Sequence, residues 1–75
     1  MSNPVWLVEW DIGLDKNRFV FYRALKRLQK ELGLFGQMST MSVLITEDEE
    51  LARRVYDLAS RFTARVHLYR AQEVA

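Results

Sequence analysis

Val5-Trp6-Leu7-Val8-Glu9-Trp10-Asp11-Ile12-Gly13 is the stretch on which the fold of this chain turns. Aromatic and β-branched residues run up to an Asp and a Gly, with Pro4 just before them. This is the pattern of a strand that ends in a loop. Successive side chains on a strand point to opposite faces. Trp6, Val8 and Trp10 therefore share one face, and Leu7, Glu9 and, if the strand continues, Asp11 share the other.

After the loop, Phe21, Leu25, Leu28 and Leu32 recur at i, i+4, i+7 and i+11, the narrow apolar stripe of a helix that packs on a sheet. Asp15 or Asn17 can cap its start and Gly33 can end it. Lys16, Arg23, Arg27 and Lys30 lie on its opposite side. From Gln37 to Ile45 the chain is extended again, either as one long strand or as two short ones that meet near Ser39-Thr40. Thr46-Glu47-Asp48-Glu49 has the form of a capping box, with Thr46 at the N-cap and Glu49 at N3. Leu51, Val55, Leu58 and Phe62 then repeat the helical spacing. Ala64 to Arg70 closes the chain as a strand, with Val66 and Leu68 on one face and Arg65, His67 and Tyr69 on the other.

The order β-α-β(β)-α-β predicts an α+β domain of the ferredoxin-like kind, one domain over residues 1–75, with two helices on one face of an antiparallel sheet. Two helices whose crossovers keep one hand leave the other sheet face bare. Leu7, Tyr69 and the aliphatics of the middle strand would make that face a dimer surface. Size argues the same way. At 75 residues a chain buries only about 60% of its unfolded surface. It has no cysteine for a disulfide or a thiolate metal site. Its 49% apolar content, with two Trp, three Tyr and four Phe, is rich for a monomer of this size, so a homodimer is expected.

A net charge of +1 excludes a histone-like polycation but not local nucleic-acid contacts. No apolar run approaches the roughly 20 residues that span a bilayer, and Met1–Pro4 has no signal-peptide pattern. A cytoplasmic protein with no membrane partner is therefore expected. There is no Walker-type loop, G-x-S-x-G, H-E-x-x-H or dinucleotide fingerprint.

Chemistry concentrates at the end of the first strand. Asp11 is a hard oxygen donor suited to Mg²⁺, at the strand end where ligands gather in α/β folds. The competing reading is an Asp that turns onto its own backbone. Glu9 shares its face and is either a second metal ligand or a cross-strand partner of Arg65 or His67. Arg18, one turn into the helix, can pair with Asp11 or reach a phosphate. Lys16, Arg23, Arg27 and Lys30 can follow a phosphate backbone, or form the solvated back of a helix. Phe19 projects toward that polar side. His67 is the single histidine and has no Ser or Cys partner at a recognisable spacing.

Val8-Glu9-Trp10-Asp11-Ile12, followed by Arg18-Phe19, Tyr22-Arg23, Leu25 and Leu28, resembles the start of the small CRISPR-associated protein that accompanies the spacer-acquisition integrase, here called Cas-two. In that family a hydrophobic strand ends in Tyr-Asp-Ile or similar, an Arg-bearing helix follows, and the next strand carries Gln-x-Ser-Val or similar. Gln37 and Ser42-Val43 are the nearest counterparts here, and Val66-His67-Leu68-Tyr69 is similar to the closing strand. The related virulence-associated protein D family shares the fold and the leading strand. The resemblance implies a homodimer whose Asp11 side chains approach across a two-fold axis, Mg²⁺-dependent cleavage of RNA or DNA, and a scaffold that holds duplex DNA for the integrase in antiviral defence. The class opposed to this is a non-catalytic dimeric module for regulation or assembly. The chain departs from the family in having Trp10 where Tyr is usual, a short middle hairpin, and few residues after Arg70.

Overall fold

A computed structural model describes residues 4–13, 16–33, 37–40 and 42–72. The elements are β1 (Pro4–Trp10), α1 (Lys16–Leu32), β2 (Gln37–Thr40), β3 (Val43–Thr46), α2 (Glu49–Ser60) and β4 (Val66–Gln72). The strands form one sheet in the order β2-β3-β1-β4, antiparallel at every pairing. β1 and β2 are therefore parallel with β3 between them, and β3 and β4 are parallel with β1 between them. Each helix crosses over one intervening strand, which is the ferredoxin-like plan.

The middle extended region is two strands, and its register slips between Met38 and Thr40. Met41 lies outside the described residues. The last strand starts at Val66 and runs to Gln72, two residues beyond the Arg70 expected from sequence.

Cross-strand register explains which face is buried. Val8 sits opposite both Leu44 and Leu68, and Trp10 opposite Val66. Val8 and Leu44 are fully buried, and Trp10 is nearly so. Phe21 and Leu25 from α1, with Leu51, Ala52, Val55 and Ala59 from α2, complete the same cluster. Both helices thus cover a single sheet face. Leu28, Leu32, Leu58 and Phe62, the outer turns of the two apolar stripes, are only partly buried against it. Phe21 is the hub. Its ring meets those of Trp10, Tyr22 and Phe62 edge to face at 5.1, 5.2 and 5.7 Å. Trp6 lies where the core runs out toward solvent. Arg53 and Arg70 cover its ring at 5.6 and 5.9 Å, so cation–π contact and arginine stems replace apolar packing there.

Gly33 ends α1 at φ 65°, with its N–H donating to the Lys30 carbonyl; an L side chain rarely adopts that backbone conformation. Asn17 lies within α1 and so is not its cap, and Asp15 lies outside the described residues. The start of α2 departs from the expected capping box. Thr46 remains in the β1–β3 ladder opposite Trp6, so it is not free to begin a helix. Asp48 is the N-cap, and its Oδ1 accepts from the Leu51 N–H at 2.8 Å. Thr46 Oγ1 accepts from the Asp48 N–H at 3.0 Å and ties strand to cap. Glu49 and Glu50 then suit the positive end of the helix dipole. Asp48→Ala is expected to lower stability by about 1 kcal/mol, read as a shift in the urea midpoint with an unchanged slope.

Among the described residues no helix lies over the other sheet face. Ile45, Leu7 and Tyr69 form one row across three strands, and Val43, Glu9 and His67 the next. Leu7, Val43 and Ile45 are half-buried by their neighbours alone, and Tyr69 is 47% exposed.

Candidate functional site at the end of the first strand

Trp10 pairs with Val66 as the last rung of the β1–β4 ladder. Asp11 follows, still held to the approach of β4. Its N–H donates to the Arg65 carbonyl at 2.9 Å, and its carbonyl accepts from Thr63 Oγ1 at 2.9 Å. The same Thr63 oxygen accepts from the Arg65 N–H at 3.0 Å. With its backbone fixed in this way, Asp11 presents its carboxylate to solvent at 68% exposure.

Among the described residues the partner of that carboxylate is Arg65, through one Nη1–Oδ2 contact of 3.3 Å, and the Arg65 side chain is 80% exposed. A single-pronged exposed pair of this kind contributes about 0–1 kcal/mol. Arg65 is level with Asp11, one step past the ladder, so it does not reach Glu9 as expected from sequence. His67 does lie directly across from Glu9, but the oxygen of Glu9 accepts from the Tyr69 hydroxyl at 3.4 Å. The Tyr69 side chain reaches diagonally, and its ring stacks on His67 at 6.0 Å.

Behind Asp11 a cleft of about 260 Å³ is lined by Trp10, Asp11, Ile12, Gly13, Arg18, Tyr22 and Ser42. Arg18 and Tyr22 stand one helical turn apart and so share a face of α1. Arg18 lines the same cleft as Asp11. Tyr22 was named in the sequence only within the family resemblance, with no role at the site. Its signal was Trp10, because a buried indole N–H needs an acceptor, and Tyr22 Oη supplies it at 3.3 Å.

The remaining candidate cations are dispersed. Arg23, Arg27 and Lys30 are exposed on α1, and the side chain of Lys16 lies outside those described. Arg27 borders a groove of about 430 Å³ between the helices, among Glu31, Arg54, Asp57 and Arg61. The charge distribution is more telling than any one of them. α1 holds six basic residues and one acidic residue in a chain that totals 11 basic and 10 acidic, so the near-zero net charge conceals one basic helix. Phe19, 74% exposed, and Val20, 49% exposed, lie on this helix outside the core.

As a metal centre, one chain offers little. Asp11 is a suitable oxygen donor, but among the described residues no group of three or more His, Cys, Asp or Glu could hold an ion. Among those residues, too, no helix is long and apolar enough to cross a membrane.

No family model matches the chain, and no curated protein matches it. Among solved structures it is similar to a Thermus thermophilus protein described as hypothetical, at 24% identity, covering 95% of this chain and 82% of that one, with a TM-score of 0.46. Function therefore rests on the chemistry of the site itself.

Proposed function

We propose that the protein is a nucleic-acid-handling homodimer of the Cas-two type, acting in the cytoplasm in antiviral defence, with Asp11 as its catalytic and metal-binding carboxylate. One observation carries this reading: an accessible carboxylate stands at the end of the central strand, beside a cleft lined by Arg18. Among the described residues one chain has no group of three ligands, but Mg²⁺ needs only one or two protein carboxylates and keeps several waters. Two Asp11 side chains, one from each subunit across a two-fold axis, would meet that need, with Glu9 as a further oxygen donor nearby. When bound, the ion would stabilise charge on a transferring phosphoryl group and activate water. The protein's own part is to hold that ion through Asp11 and to orient phosphates through Arg18 and the basic side of α1 (Lys16, Arg23, Arg27, Lys30). The exposed pair with Arg65 is weak enough for a divalent cation to displace it. The same dimer, with its basic helices, is suited to hold duplex DNA for an integrase partner.

A second reading, the non-catalytic assembly module, has one observation in its favour, namely that Arg65 already occupies Asp11. An assay of single-stranded RNA and duplex DNA, with Mg²⁺ and with chelator, separates the two. Wild-type protein is expected to cleave at least one substrate about a hundredfold faster than Asp11→Ala, the equivalent of a few kcal/mol of metal-supplied stabilisation. Equal cleavage by both proteins removes Asp11 from the chemistry. Binding without cleavage leaves a holding dimer, and neither binding nor cleavage leaves the assembly module.

A further inference from the structure

Phe19 has no place in the core. Its side chain is 74% exposed on α1, and among the described residues it makes no ring contact. A single exposed ring is ordinary by itself, but its neighbours on the helix are not. Arg23, Lys26 and Lys30 follow at i+4, i+7 and i+11, so they stand on one stripe with Phe19, with Arg27 at its flank. That stripe lies opposite the side on which Phe21 and Leu25 enter the core. All four cations are exposed, and among the described residues none of them is in an ion pair. α1 therefore holds a ring and four unpaired cations in one line of roughly 16 Å.

The ring decides what the line fits. Cations alone suit any polyanion. A ring among them suits a polyanion that also offers flat apolar faces, and unpaired nucleobases do so. In a duplex those faces are hidden by stacking, and only base edges and phosphates are within reach. A lipid surface fits less well. A helix that lies on a membrane needs a wide apolar face, and in α1 that face is turned to the core. We infer that the outer stripe of α1 binds single-stranded nucleic acid, with an unpaired base stacked on Phe19 and the phosphates of the strand following Arg23, Lys26, Arg27 and Lys30. The inference deepens the nucleic-acid reading by naming the strandedness of the ligand, and it rests on that reading.

The test uses the whole protein in chelator, so that binding is read without cleavage. Fluorescence anisotropy measures the affinity for a short single-stranded oligonucleotide, for the same strand made abasic throughout, and for the corresponding duplex. Phe19→Ala is expected to weaken binding of the single strand about tenfold, as for loss of one base–aromatic stack, and to leave the abasic strand and the duplex unchanged. Phe19→Trp is expected to retain the wild-type affinity or better it. Arg23→Gln combined with Arg27→Gln is expected to weaken all of these probes, and to reduce the salt dependence on the single strand by about 0.7 per cation in the log–log slope. These side chains are exposed, so every variant is expected to unfold at the wild-type temperature. An unchanged single-strand affinity in Phe19→Ala, or an equal loss on the abasic strand, overturns the stack. Phe19-dependent binding to phosphatidylserine vesicles with no preference for the single strand also overturns it and assigns the stripe to a membrane. If the duplex binds through the arginines and Phe19→Ala changes nothing, the stack falls and the nucleic-acid reading stands. If neither strand nor duplex binds, both fall.

Discussion

Phe21→Ala is expected to remove about 3–5 kcal/mol of stability, the range for deleting a large aromatic side chain from a packed core. A chain of this length has roughly 4–11 kcal/mol in total, so the variant loses from about a quarter of it to all of it. Phe21 is fully buried and contacts Trp10 on the sheet, Tyr22 on its own helix and Phe62 beyond α2. Removing its ring opens a void at the point where three layers of side chain meet. Each edge-to-face contact adds about 0.5–1.5 kcal/mol beyond area burial, which places the loss high in that range. Urea unfolding followed by circular dichroism reads the effect, with Leu28→Ala as a partly buried comparison. A loss below about 1.5 kcal/mol would show that the neighbouring rings collapse to fill the space, and that Phe21 is not the keystone.

Leu7→Asp is expected to convert the proposed dimer to monomer. Leu7 lies at the centre of the uncovered face, flanked by Ile45 and Tyr69 and two residues from Glu9. In a monomer a carboxylate there reaches water, so folding is little affected. In a two-fold interface both new charges are buried without partners, beside the two Glu9 side chains. Such burial costs several kcal/mol per ion, and each 1.4 kcal/mol is tenfold in affinity, so the dimer is expected to weaken by more than about a hundredfold. Sedimentation across a concentration series measures it. If wild-type protein sediments as a monomer throughout, the shared Asp11 site has no physical basis, whatever the variant does.

The ferredoxin-like order was legible because its long elements carry strong periodicity. Both helices show four apolar residues at the expected spacing, and β1 carries an alternation that register then confirmed through Val8, Leu44 and Val66. The middle strands were ambiguous for a chemical reason. Ser39-Thr40-Met41-Ser42 contains no Gly, Pro or Asn-Gly to announce a turn, and the pairing that separates β2 from β3 is tertiary. The cap of α2 was misplaced because Thr46 and Asp48 are both good caps, and only the ladder that holds Thr46 decides between them. At the site, the position of Asp11 was legible from the strand and loop pattern. Its partner was not, because Arg65 is brought level with Asp11 only by the β1–β4 register across the length of the chain. The Glu9–Tyr69 contact escaped for a related reason: pairwise reading considers residues directly opposite, and Tyr69 reaches from the neighbouring row.

That longest ladder, from Pro4 opposite Gln72 to Trp10 opposite Val66, also bears on how the protein is made. On the ribosome β1 emerges early, yet one of its two edges stays unpaired until β4 has been translated and has left the exit tunnel. Through that interval Trp6, Val8 and Trp10 can be sheltered only by α1, β3 and α2, and an open backbone edge next to two indoles is a template for association between nascent chains. Ring closure over most of the sequence makes assembly slow relative to a helical bundle of equal size. Synonymous changes that stall translation just before codon 66 should therefore lower the yield of soluble protein without altering a single residue of the finished molecule.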